Sequence, residues 1–203
     1  FVLYRPLTQT VWFWSLNGLL GPDPSAFHAA NLFAFVLCVV LAWAIARRVT
    51  GSPLAGVATA LLYATAPAHA ASVAWAAAFT ILGTALAVLS LVWCWLRIDG
   101  AWRGPACAAL QALALLCSEH AAMAPGLLLA LALFGPRREP LAASARALAP
   151  SALLVAGYLA LKLWWLPAEF AARPRLAYGV DLAPLAWLGR LGGYLAASVE
   201  GVA

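Results

Sequence analysis

Residues 70–96 read AASVAWAAAFTILGTALAVLSLVWCWL, from Ala70 to Leu96 without one charged side chain. A helix needs about 20 apolar residues to cross a hydrocarbon core of about 30 Å, and this stretch exceeds that. Ala, Leu and Val follow one another without the strict alternation of a barrel strand. Of the two backbones that satisfy their own polar groups in lipid, the helix is therefore indicated.

Working outward, the same texture recurs at Ala26–Ala46, Pro53–Ala66, Gly104–Ser118, Ala121–Gly135 and Ala147–Leu166, where the only charged residue is Lys162. Hydrophobic residues make up 66% of the chain and charged ones 9%, against about 45–50% and 25% in soluble domains. A water-soluble fold is excluded, and the expected class is all-α: a polytopic transmembrane helix bundle. Three segments follow: residues 1–25, an external loop and interfacial helix; 26–166, six crossings; and 167–203, an external loop with the start of a further helix. Opening on Phe1 and stopping soon after a new apolar run begins near Leu185, the chain reads as a piece of a longer protein.

The first segment, Pro6 to Leu20, mixes Thr8, Gln9, Thr10, Ser15 and Asn17 with Val11, Trp12, Phe13 and Trp14. It is too short to span, and its tryptophans favour the headgroup region, so a helix lying along the interface is expected. The net charge is +5, but its distribution says more. With alternating sides, Arg47, Arg48, Arg97, Arg103, Arg137, Arg138 and Arg146 share one face, against Arg5, Arg173 and Arg175 on the other. The positive-inside rule makes the first face cytoplasmic and assigns its arginines to topological anchoring. The expected location is a bacterial inner membrane, with the opposite face periplasmic. Cys38, Cys94, Cys107 and Cys117 each sit inside an apolar stretch and read as small hydrophobes, with no disulfide framework or metal spacing among them. No glycine-rich phosphate loop or nucleic-acid motif is present.

On the periplasmic side this topology gathers Arg5, His28, His69, Glu119 and His120 from widely separated positions. Asn31 follows His28 by three residues on the same helical face. Glu119 carries the strongest functional reading, since a carboxylate at mid-bilayer costs about 2.5–3.5 kcal/mol and such residues usually face an aqueous cavity. Three His and one Glu lack the i, i+4 spacing of a helical zinc motif, so no metal site is assigned.

Four strings in order carry a resemblance: Tyr4-Arg5-Pro6-Leu7-Thr8; Phe27-His28-Ala29-Ala30-Asn31-Leu32; Pro67-Ala68-His69 with Val73-Ala74-Trp75; and Ser118-Glu119 followed by Pro125. From Tyr4 to Leu133 the chain resembles the membrane region of protein O-mannosyltransferase-like enzymes, especially the tetratricopeptide-bearing branch, within the GT-C glycosyltransferase class. The resemblance implies a GT-C-like scaffold that moves a sugar from a polyprenyl-phosphate donor to a protein or glycan acceptor on the extracytoplasmic face. It implies catalytic roles for Arg5, His69 and Glu119 and substrate binding by Tyr4, His28, Asn31, Trp75 and His120. It also implies an acidic residue upstream of Phe1, which is where any divalent metal would bind; the segment itself requires no cofactor.

Ala71, Phe79, Ile81 and Ser118 stand where that family tends to carry charge, and a neutral side chain offers no charge-assisted bond. The competing expectation is thus a non-catalytic structural or assembly subunit on the same scaffold, with partners in a membrane complex. A small-solute transporter would need polar groups at helices broken near mid-membrane, and fits least.

Overall fold

A computed structural model describes residues 5–136 and 139–172, with the side chains of residues 76, 163 and 165–172 left aside. Every element among the described residues is helical. The chain divides into two units, the first running to Ala160 and the second beginning at Leu161. Of the second unit, only the continuation of the last helix through Ala172 is described.

A wide helical turn, Pro6–Val11, leads into α1 (Trp12–Leu20). Then α2 (Pro24–Thr50) starts where Asp23 accepts from the Ser25 amide at 2.9 Å and Pro24 presets the first turn. It ends at Gly51, whose φ of 72° places it in the left-handed region that closes a helix. Ser52 immediately caps α3 (Pro53–Thr65) through the Ala55 amide at 3.3 Å. Gly51-Ser52-Pro53 therefore writes a stop and a start side by side, which folds α3 back on α2. Gly56 makes that return close: a Cβ there would lie 3.0 Å from Trp43 Cδ1 and 3.1 Å from the Trp43 carbonyl oxygen. Gly56→Leu is expected to cost about 1–3 kcal/mol by overpacking, read as a lowered unfolding midpoint of the full-length protein in detergent; an unchanged midpoint would contradict this contact.

The expected single crossing from Ala70 to Leu96 is corrected. The stretch divides into α4 (Ala70–Ala74), a tight turn Ala76–Ala78 and α5 (Phe79–Arg97), with Trp75 extended between them. Nothing local in the sequence breaks it. From α2, the buried Asn31 amide nitrogen reaches the break, donating to the Ser72 carbonyl at 3.4 Å and the Trp75 carbonyl at 3.3 Å. The Trp75 carbonyl also accepts from the Ala78 amide at 2.9 Å, so the break leaves it paired inside the bundle, where an unmet carbonyl is costly. At 19 residues, α5 is still about 28 Å long, close to a bilayer core.

After a turn at Gly100–Trp102, α6 (Arg103–Cys117) returns along α5; a second turn, Glu119–Met123, leads into α7 (Ala124–Phe134), and α8 (Leu141–Ala172) follows. Among the described residues, three helices are long and apolar enough to cross a membrane alone: Pro24–Thr50, Phe79–Arg97 and Leu141–Lys162. A fourth crossing arises if Pro53–Thr65 and Pro67–Ala74, bent by 52°, act as one span. Ala66 takes an extended conformation before Pro67, as the proline ring requires, and the bend sits there. The chain is thus read as a membrane protein. Its α6, with 15 residues, reaches only about 22 Å.

The main core joins Leu91, Trp95, Cys107, Leu128 and Leu148. All four cysteines are buried thiols. At the same end stands Arg103, for which anchoring alone was expected. That reading is corrected: Arg103 is buried, gives Nε to the Ile98 carbonyl at 2.8 Å, binds both Glu139 oxygens at 2.5 and 2.8 Å, and reaches Asp99 at 2.8 Å. Its guanidinium also lies 5.0 Å from the Trp95 ring centre.

Candidate functional site

At the opposite end of the first unit, the turn Pro6–Val11 inserts into the bundle. Thr8 is fully buried, donates to the Cys117 carbonyl at 3.0 Å and accepts from the Thr80 hydroxyl at 3.1 Å. Gly83 makes room, since a Cβ there would stand 3.0 Å from the Thr8 methyl. Thr8 therefore anchors the N-terminal segment between α5 and α6, with α1 itself burying no residue.

That pin sets a register. Arg5 lies three residues before Thr8, and Glu119 two residues after Cys117, so the Thr8–Cys117 bond brings the two charges together. Arg5 Nε donates to Glu119 Oε2 at 3.1 Å and Nη2 to Oε1 at 2.8 Å, a two-pronged pair across 114 residues of sequence. The side chains keep 17% and 26% of their exposure, so the pair sits at a lip, neither solvated nor sealed. Pairing of this geometry is the strong form of a charged hydrogen bond. It leaves the Arg5 Nη1 edge outside the pair.

Ser118, extended between α6 and the turn Glu119–Met123, caps that turn by accepting from the His120 amide at 3.4 Å. Its hydroxyl also meets His120 Nδ1 at 2.8 Å and donates to Glu119 Oε2 at 3.4 Å. Arg5, Ser118 and His120 form the polar end of a cavity of about 920 Å³. From there its walls run along α5 at Ile81, Ala85 and Val88 and along α7 at Met123 and Leu127. Thr80 and Thr84 soften the α5 wall, and the Thr84 hydroxyl is spent on the Thr80 carbonyl at 2.6 Å. Tyr158 on α8 stands near enough to interact electrostatically with Glu119 and Arg5.

Arg5, Glu119 and His120 are thus brought together. His69 is held elsewhere: its ring lies 4.3 Å from Tyr63 and 5.5 Å from Phe35, and it does not line the cavity. The turn that carries it follows α3, and α3 packs on α2, away from α7. His69 is thus not brought to Arg5 and Glu119, with which the resemblance groups it as catalytic. Asn31 is spent on the α4 break, the Trp75 indole is exposed, and His28 is exposed near the start of α2. Tyr4 lies outside the described residues. Sequence reasoning missed Thr8, Thr80, Thr84 and Tyr158; only the i, i+4 pair Thr80 and Thr84 on an apolar helix carried a readable signal. Among the described residues, no three His, Cys, Asp or Glu side chains converge.

No family model, curated protein or solved structure matches this chain.

Proposed function

We propose that this protein seats a polyprenyl-phosphate sugar and transfers its sugar to an acceptor hydroxyl, as an integral membrane glycosyltransferase. The observation that carries the reading is the Arg5–Glu119 clamp at the polar end of a long cavity with aliphatic walls. An amphiphile with an anionic head and a branched hydrocarbon tail matches both parts. Glu119 fixes the guanidinium plane and leaves Nη1 for a phosphate oxygen, and His120 offers its Nε2 beside it. The tail lies along Ile81, Ala85 and Val88 opposite Met123 and Leu127.

In the step itself, the acceptor hydroxyl oxygen bonds to the anomeric carbon while that carbon's bond to the phosphate oxygen breaks. The electron pair stays on the departing phosphate, and the hydroxyl proton passes to a carboxylate base, which the family likeness places outside the described residues. Arg5 stabilises the charge that grows on the leaving phosphate, which is where a fixed donor accelerates a reaction most. The arginines at the Arg47 and Arg97 ends of α2 and α5 support, through the positive-inside rule, the reading that the opposite, site-bearing end faces the periplasm of a bacterial inner membrane.

A second reading, a non-catalytic assembly subunit, draws on Phe79. Where the family likeness leads one to expect charge, this ring stacks on Trp12 at 3.5 Å between centres and serves packing. The two readings part in one experiment. Membranes carrying the full-length protein are given labelled polyprenyl-phosphate sugar: incorporation above that of protein-free membranes is expected, and none would sink the transferase.

A further inference from the structure

α2 and α5 run parallel, since Ala34 packs on Phe79 and Leu82 at one end while Ile45 and Val49 join the cluster around Leu91 and Leu96 at the other. Both are long and apolar enough to cross a bilayer alone, so their last turns meet the same leaflet. Those turns carry the same pair, a half-buried tryptophan and an exposed arginine four residues on: Trp43 with Arg47, and Trp93 with Arg97. The Arg47 guanidinium lies 5.4 Å from the Trp43 ring centre, and that of Arg97 lies 5.5 Å from the Trp93 ring centre.

An arginine that serves only to mark one side of a membrane extends its head away from the hydrocarbon into water. These two do the reverse. Helical side chains slope toward the N-terminus, and each guanidinium is folded back over an indole rooted about 6 Å deeper along its helix. That holds the charge at the level where tryptophan rings settle, among the lipid head groups. A ring face attracts a cation without cancelling its charge. Among the described residues neither arginine forms an ion pair, and Arg48, exposed beside Arg47, forms none either. The carboxylates at this end, Asp99 and Glu139, are bound by Arg103.

We infer that the two Trp–Arg pairs bind the phosphates of anionic phospholipids in the leaflet at this end. Depth selects the ligand, because the anion abundant at the level of the indoles is the lipid phosphate. The donor agrees with it: a guanidinium offers two parallel N–H groups to two phosphate oxygens, which an ammonium does not. Net charge selects an anionic head over a zwitterionic one. Arg47, Arg48 and Arg97 put three positive charges on this rim, and a choline head brings a cation of its own along with its phosphate. The inference is independent of the transferase reading and holds equally for an assembly subunit.

The test reconstitutes the full-length protein in nanodiscs of phosphatidylglycerol and phosphatidylcholine in equal amounts, transfers it to mild detergent, and counts the retained lipids by native mass spectrometry. Retained lipid is expected to be enriched about threefold or more in phosphatidylglycerol. The enrichment should persist in about 0.5 M NaCl, where screening acts beyond about 4 Å and diffuse attraction is lost but direct contacts remain. Arg47→Gln with Arg97→Gln should return the ratio to nearly that of the bulk. Arg47→Lys with Arg97→Lys keeps every charge, and so the topology, and covers the case in which the neutral variant inserts wrongly; its enrichment should fall by about half or more as the forks are lost. A bulk ratio in the unaltered protein, or an enrichment unchanged in either variant or abolished by salt, overturns the inference. Displacement of phosphatidylglycerol by about 20 mM inorganic phosphate also overturns it, by making the ligand a soluble anion.

Discussion

On the proposed transferase reading, Arg5→Ala in the full-length protein is expected to cut sugar transfer by about 10²–10³, the range seen when a single fixed donor to a developing negative charge is removed. Arg5 has the geometry for that size of effect. Both prongs to Glu119 are short, so the guanidinium does not have to be reorganised when charge builds on the phosphate. Arg5→Lys keeps the charge but loses the fork, and activity should fall between the two, because an ammonium is a point charge without a plane to orient. Glu119→Gln tests the positioning role separately: binding of the donor persists, while the transfer rate drops as Arg5 loses its fixed plane. The double variant should fall short of the product of the single effects, since the two side chains act as one unit. Radiolabel transfer in membranes is the measurement. Rates within about twofold of wild type for Arg5→Ala would leave the clamp without a catalytic role.

How much of this was legible beforehand depends on how local the cause is. The charge-free stretches place α2, α3, α6, α7 and α8, and Gly51-Ser52-Pro53 spells out the reversal between two of them, because caps are local chemistry. The break at Trp75 was not legible. Its tertiary contact is Asn31, more than forty residues earlier, whose amide reaches the Ser72 and Trp75 carbonyls there. Meeting of Arg5 with Glu119 could be anticipated from topology, but Thr8, which holds the register, closes the Tyr4–Thr8 string without any sign of that role. His69 shows the reverse: a resemblance marks it, and the packing of α3 on α2 takes it to an aromatic cluster instead. Arginines show the same limit. Arg47 is exposed above Trp43 at 5.4 Å and fits anchoring, while Arg103 follows an equally apolar stretch and is buried. The only sequence hint was Asp99 four residues before it.

Arg103→Ala is expected to be the most damaging single change to stability, at about 3 kcal/mol, the lower edge of what breaking a buried ion pair costs. Two partners compete for the credit, and exposure decides between them. Asp99 keeps 68% of its side-chain exposure, so its i, i+4 pair with Arg103 is worth about 0.3–0.5 kcal/mol. Glu139 keeps 28% and takes both amino groups of the guanidinium, so most of the loss falls there. Because Glu139 keeps 28% exposure and can recover some water once Arg103 is gone, the cost stays near that lower edge. Removing Arg103 also frees the Ile98 carbonyl and strips the Trp95 face, which ties the α5–α6 turn to the link before α8. For a chain of this size the loss corresponds to about 6–12 °C in unfolding midpoint. Arg103→Met combined with Glu139→Leu should recover a large part of it, since an apolar replacement of both residues leaves neither charge of that pair behind. A midpoint shift under about 2 °C for Arg103→Ala would mean that this clamp contributes no more than a surface pair.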